Sequence, residues 1–154
     1  MTTIIIACIG KLSSSDPEDT IIQRYLKRIP WDVKIKELDL KDSKLPKSTR
    51  TSKEATMLLD AVKNCHYCIA LDEKGKSLSS SEFAATLSSQ FDLGNRSIGI
   101  IIGGAYGLDK AVKNHCQQTL NLGSMTWPHM LARAMITEQL YRASTIISGH
   151  PYHK

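Results

Sequence analysis

Gly103-Gly104-x-x-Gly107 directly follows the apolar run Ser97–Ile102, so a strand-like stretch ends where the backbone is bare of side chains. Such a run reads as a buried parallel strand, and ligands of α/β sheets bind beyond the C-terminal ends of strands. The plainer reading is a tight strand-to-helix turn with no ligand. The glycines are not a dinucleotide fingerprint, which sits in the first strand–helix unit with an acidic residue about 20 positions on. They are not a phosphate loop either, because no Gly-Lys-Ser/Thr closes them. Groups able to move a proton or hold an anion lie further on: His129, Arg133 one helical turn later, and the terminal His150, Tyr152 and His153. A helix-start histidine bonded to backbone and a disordered terminus are the plain alternatives.

Other chemistries find no support. There is no Gly-x-Ser-x-Gly elbow, and Ser124 has no evident base and orienter. Cys65-His66-Tyr67-Cys68 resembles half a zinc site, but Cys65–Leu71 reads as a strand, in which residues three apart point to opposite faces. No metal site is expected. With Cys8 and Cys116, the cysteines are dispersed through a chain of ordinary core composition, which fits reduced thiols.

The chain has 154 residues, suited to one domain with a proper core over residues 1–154. It holds no apolar run near 18 residues, and Thr2–Ile9 is too short and lacks the flanks of a signal peptide, so a soluble cytoplasmic protein with no membrane partner is expected. The net charge of +5 is modest, but Lys41, Lys44, Lys47, Arg50 and Lys53 crowd into one stretch. That stretch is either a solvated loop or a set of cations for nucleic-acid phosphates.

The elements that must position these groups follow from periodicity. Thr2–Ile9 reads as a strand. Ser15 and Glu18 form a capping box for a helix to about Arg28, its inward face Ile21, Ile22, Tyr25, Leu26 and Ile29. Val33–Leu38 alternates apolar and charged residues, the mark of a sheet edge. Thr51 and Glu54 predict a second capping box and Ala55, Leu58, Leu59 and Val62 its helix's buried stripe, before a strand over Cys65–Leu71. Ser79 and Glu82 predict a third box, with Phe83, Leu87 and Phe91 facing inward. Asp109 caps a fourth helix with Val112, His115 and Cys116 inward, and Thr119–Leu122 is a fifth strand. Pro128 opens a last helix to about Ile147, with Ala132, Ile136, Leu140, Ala143 and Ile147 as its stripe, Arg133 and Tyr141 elsewhere on its surface, and Glu138 and Arg142 spaced as a pair. Five strands alternating with five helices imply an α/β fold, a mainly parallel sheet with helices on both faces. The loops after Leu71, after Gly103 and over Leu122–Trp127 then converge on one pocket.

One family shows this whole order of residues: Leu71-Asp72, then Ile102-Gly103-Gly104-x-x-Gly107-Leu108, then Ser124-x-Thr126-x-x-His129-x-x-x-Arg133, then Glu138–Ala143 and His150-Pro151-Tyr152-His153. The chain resembles the ribosomal RNA large subunit methyltransferase H family over essentially its full length. The resemblance implies a SPOUT-type fold, whose C-terminal part threads into a trefoil knot against the usual rule. It implies a homodimer that binds S-adenosylmethionine and methylates N3 of a pseudouridine in large-subunit rRNA of assembled ribosomes. Carried over by position, the cofactor contacts are Leu71, Gly103, Leu122, Gly123, Ser124, Met125, Thr126 and Trp127, where Trp127 replaces an expected smaller apolar residue. The catalytic neighbourhood is His129, Arg133, Arg142, Tyr152 and His153. A non-catalytic rRNA-binding factor of the same fold and a nucleotide-binding oxidoreductase are the competing readings; affinity for S-adenosylmethionine separates them.

Overall fold

A computed structural model describes residues 1–42 and 44–154; Ser43, inside the basic stretch, lies outside the described residues. The apolar runs form β1 (Thr3–Ile9), β2 (Asp32–Leu38), β3 (Tyr67–Ser77), β4 (Ser97–Ile102) and β5 (Gln118–Asn121). They pair in the order β2-β1-β4-β3-β5, every pair parallel, so β2 is an edge as its alternating sequence predicts. Between them lie α1 (Pro17–Leu26), α2 (Lys47–Ala61), α3 (Ser80–Asp92), α4 (Lys110–His115) and α5 (His129–Ser148).

The period-2 alternation of β1 and β4 divides the core. Ile4, Ile6, Cys8, Ile98, Ile100 and Ile102 pack with residues of α3 and α5 and with Tyr25 of α1. Ala7, Ile9 and Ile101 pack on the opposite face with Ala55 and Leu58 of α2 and Val112 of α4. Gly99 lets α2 approach, since a Cβ there would meet Cys68 Sγ and Val62 Cγ1 at 3.0 Å each.

Several local expectations are corrected. At α1 the N-cap is Asp16, not Ser15, and no side chain caps the helix. Ser15 Oγ pairs instead with Ser13 Oγ at 2.9 Å, and Asp16 Oδ2 accepts from the Ser13 amide at 2.8 Å, so both capping groups are spent on the preceding loop. The helix itself ends at Leu26. The second helix starts a turn before the expected Thr51/Glu54 box: Thr51 Oγ1 donates to the Lys47 carbonyl at 3.1 Å, and Glu54 is buried. At α3 the Ser79/Glu82 capping box forms as expected. His115 is exposed and Cys116 only half-buried, because α4 is a single short turn-and-a-half that buries Val112 alone. Arg133 and Tyr141 are buried, not on the outer surface, while Ile147 is exposed: α5 lies between α1, α3 and the sheet and buries more than one stripe.

The third strand begins at Tyr67 and runs past Leu71 to Ser77 through an irregularity that pairs both Leu71 and Lys76 with Leu120. Cys65 therefore lies in a turn, its amide donating to the Val62 carbonyl at 2.8 Å, and the strand argument against a shared Cys65–Cys68 site does not apply. The Cys65 thiol is lowered to about 6, chiefly by its hydrogen bond with Cys68. Among the described residues, no three or more His, Cys, Asp or Glu side chains are grouped to hold a metal ion.

Candidate functional site

Two of the expected loops, those after β4 and β5, meet around a cavity of about 550 Å³; its third side, expected as a loop after Leu71, is Leu71–Glu73 within β3, because the strand continues to Ser77. That volume is within the range of small-molecule and cofactor pockets. One wall is the turn after β4. A Cβ on Gly103 would stand 2.8 Å from the Gly107 carbonyl oxygen, so this turn closes on itself only with glycine there. The Gly107 amide donates to the Gly104 carbonyl at 3.1 Å, and Gly107 has φ +78°, a left-handed conformation that glycine adopts freely.

The facing wall is Leu122–Trp127, held by polar contacts at three points. The Gly123 amide donates to Asn121 Oδ1 at 3.0 Å, the Trp127 indole N–H to the Leu122 carbonyl at 3.1 Å, and Thr126 Oγ1 to Glu73 Oε2 at 2.8 Å. Asn121 also donates to the Gly75 carbonyl at 2.8 Å, tying this wall to the irregular part of β3. Leu71, Gly103, Leu122, Gly123, Met125, Thr126 and Trp127 all line the cavity. Ser124, next to them in sequence, does not. Asn121 and Glu73 are clamps that the sequence analysis missed, since their partners depend on the strand irregularity.

His129 lines the same cavity from the first residue of α5. Burial, and then repulsion from Arg133, pull its pKa below the ordinary value, which keeps the imidazole neutral at neutral pH. Arg133 is placed differently from expectation. It is 1% exposed, outside the cavity lining, with Nη1 donating to Glu37 Oε2 at 2.6 Å and Nη2 to the Gly10 carbonyl at 3.1 Å. Its guanidinium pins α5 to the ends of β1 and β2, and so fixes where His129 starts; it is a positioning residue. An Arg133→Met protein is expected to lose about 2–4 kcal/mol of stability, because the Gly10 and Ile9 carbonyls lose their buried donor and Glu37, at the surface, loses its ion-pair partner. Urea unfolding measures it, and an unchanged midpoint would refute the pinning role.

Under the glycine turn lies a second buried charge. Glu54 of α2 is 4% exposed, with Oε2 4.0 Å from Arg50 Nη1 and Oε1 without a hydrogen-bond partner among the described residues. A Cβ on Gly104 would be 3.5 Å from its Oε2. Burial raises the Glu54 pKa against a smaller lowering by Arg50. A carboxyl whose folded-state pKa is raised stabilises the fold below its unfolded value, and that stabilisation is lost as pH rises through the folded value. Glu54→Gln is therefore expected to melt above the wild type at about pH 8 and to match it near about pH 4. Equal melting temperatures at both would mean that Arg50 neutralises the burial cost.

The terminal residues are ordered and return to α5. Tyr152 OH donates to Glu138 Oε1 at 2.9 Å, and its ring packs edge-on against Tyr141 with centroids 4.6 Å apart. Arg142 holds Glu138 through Nη2 at 2.6 Å, as the i,i+4 spacing predicts, reaches His153 Nδ1 at 3.2 Å, and lies over the Tyr152 ring. The hydrogen bond with Tyr25, then burial, then Glu138 raise the Tyr152 pKa, so the phenol stays protonated at neutral pH. This cluster is far from the cavity: from His129 to Arg142 along α5 is about 20 Å at 1.5 Å per residue. An apolar groove of about 490 Å³ lies between the two sites, touching Leu122 and Gly123 at one end and Tyr25 and Glu138 at the other.

A family model described as "Predicted SPOUT methyltransferase" matches residues 2–153. The chain is also 42% identical over 156 residues, 97% of each chain, to a protein named ribosomal RNA large subunit methyltransferase H from Allorhizobium ampelinum. The chain belongs to this methyltransferase H family of SPOUT proteins. Solved structures agree on the fold. A Bordetella pertussis protein described as a probable methyltransferase superposes with a TM-score of 0.63 at 12% identity, covering 93% of this chain and 96% of that one. The SpoU methyltransferase AviRb from Streptomyces viridochromogenes, solved with its cofactor AdoMet, gives 0.50 at 17% identity over 90% of this chain and 56% of its own. Within the family's motifs, the structure brings the glycine turn, Leu122–Trp127 and His129 together, and brings Arg142, Tyr152 and His153 together. It does not bring the two groups together in one copy of the chain.

Proposed function

We propose that this chain transfers a methyl group from S-adenosylmethionine to N3 of a pseudouridine in large-subunit rRNA of the assembled ribosome. In this reading residues 1–154 are one catalytic domain, its C-terminal segment is knotted as in SPOUT proteins, and it works as a homodimer in the cytoplasm. The observation that carries it is the cavity between Leu71–Glu73 of β3 and the segments that follow β4 and β5, whose lining includes every carried-over cofactor position except Ser124.

The residues present suit the cofactor. Gly103 lets the turn fold back on itself where a Cβ would meet the Gly107 carbonyl, and backbone of Gly103, Gly104, Leu122, Gly123, Met125 and Thr126 lines the space offered to an adenine edge and ribose hydroxyls. When bound, S-adenosylmethionine supplies an electrophilic methyl on a sulfonium, so the protein's task is alignment and the removal of one proton. The pseudouridine N3–H is an imide flanked by two carbonyls. As N3 takes the methyl, its proton leaves to a base, for which His153 is assigned, and Arg142 offsets the anion developing on a flanking oxygen. Tyr152 packs against the extruded base. Neutral His129 orients the ring from the mouth of the cavity.

These roles need Arg142, Tyr152 and His153 beside a cavity that lies about 20 Å away in their own chain. A second copy related by a two-fold axis along the groove brings its terminal cluster to this cavity, and the reverse, which gives two composite sites.

The test is methyl transfer from labelled S-adenosylmethionine to whole ribosomes, separated subunits and naked rRNA that lack this modification. Label in 3-methylpseudouridine on assembled ribosomes is the expected result. Cofactor binding with no label on any of the three would overturn the substrate assignment, and no cofactor binding would overturn the enzyme.

A further inference from the structure

Tyr106 sits at the tip of the turn between Gly104 and Gly107, 54% exposed, and is not part of the cavity lining although Ala105 and Gly107 on either side of it are. A lone exposed tyrosine is unremarkable on a protein surface. Its surroundings are not. The turn is braced by the bridge of Gly104 with Gly107, so the ring is presented on a fixed support. The ammonium of Lys47, at the first position of α2, stands over that ring, 6.0 Å from its centroid. Lys47 belongs to the basic stretch, of which Lys41, Lys44 and Lys53 are also exposed. The loop that carries Lys41 and Lys44 is tied to α2, which carries Lys47 and Lys53, by Arg50, whose Nη2 donates to the Asp42 carbonyl at 2.6 Å.

An aromatic face, a cation at its ring and further cations alongside are what a protein uses to hold an unpaired nucleotide: the ring stacks on the base and the cations take the phosphates. We propose that Tyr106 and Lys47 form a stacking platform for an unpaired rRNA nucleotide flanking the target, seated on the outer side of the turn whose inner side holds the cofactor. The inference rests on the reading of rRNA as substrate. It also gives the basic stretch a direction, with its cations leading the RNA backbone toward the mouth of the cavity.

The test is equilibrium binding of the full-length protein to unmodified ribosomes over a salt series, with affinity for S-adenosylmethionine measured in parallel. Tyr106→Ala is expected to weaken ribosome binding about ten-fold at each salt concentration without changing the slope, since stacking releases no counterions. Tyr106→Phe is expected to stay within about two-fold of wild type, and Lys47→Gln to lower the slope by about one. All three keep wild-type cofactor affinity. The platform is overturned if Tyr106→Ala binds ribosomes as wild type does. It is equally overturned if that variant changes the salt slope as Lys47→Gln does, or loses cofactor affinity, because the ring would then only brace the lysine or the turn. A wild-type protein that neither binds nor methylates ribosomes removes the platform together with the functional reading, whereas a fully active wild type with an indifferent Tyr106 removes the platform alone.

Discussion

A Gly103→Val protein is expected to fold and to bind S-adenosylmethionine at least about a hundred-fold more weakly than the wild type. The reason is the turn after β4. A Cβ at this position would stand 2.8 Å from the Gly107 carbonyl oxygen and 2.9 Å from its carbon, and both atoms are backbone that cannot rotate aside. The turn must therefore open, and the direction open to it is the cavity. Behind it lie Ile9 and buried Glu54, with a Cβ on Gly104 already 3.1 Å from Ile9 Cγ2. A loss of about 2.7 kcal/mol of binding corresponds to that hundred-fold. Isothermal titration with S-adenosylmethionine measures it, beside a far-ultraviolet spectrum and a melting curve that report whether the sheet is intact. Wild-type affinity in a folded variant would mean that the cofactor does not lie against this turn, and the assignment of the cavity would fall with it.

The position of that turn was legible because it follows from short-range patterns. An isoleucine run ending in glycines marks a buried strand and its exit, and the parallel topology then brings the segments after β4 and β5 to one end of the sheet, beside Leu71–Glu73 of β3. Local signals held wherever their partners are also local, as with the Ser79/Glu82 box and the Glu138–Arg142 pair. They failed where a competitor from elsewhere took the group. Ser15 lost its capping role to the Ser13–Asp16 loop, and Thr51 and Glu54 were drawn inside a helix that begins at Lys47. Arg133 is the plainest case. Its motif spacing marks it as a residue of the site, but its partners Glu37 and Gly10 lie on the first two strand ends, and only the folded packing of α5 shows that the charge is consumed there. The irregularity in β3 was equally hidden, because it depends on Gly75 pressing against the backbone of Thr119 and Leu120.

The separation of cavity and terminal cluster leads to the second large effect. Gly103→Val removes the cavity's function and His153→Ala removes the proposed base, so each homodimer alone is expected to be nearly inactive. If the site combines the cavity of one copy with the tail of the other, a mixed dimer has one site in which both defects meet and one that is entirely wild type. Unfolding and refolding the two proteins together in equal amounts is then expected to restore about a quarter of wild-type turnover, since half the dimers are mixed and each has one working site of two. The readout is methyl transfer to unmodified ribosomes, with S-adenosylmethionine at a concentration that just saturates the wild type; the mixed dimer isolated by two different affinity tags is expected to show about half of wild-type turnover. A tail that served its own cavity would give no such recovery: every site in the mixture would then carry either the blocked turn or the missing imidazole. The same experiment separates a weak variant from a misassigned one. His153→Ala should keep wild-type cofactor affinity, because Leu71, the glycine turn and Leu122–Trp127 are untouched by a change at the far end of α5. If it binds the cofactor poorly and turns over normally once saturated, His153 belongs to the binding wall and the proton must leave by another group.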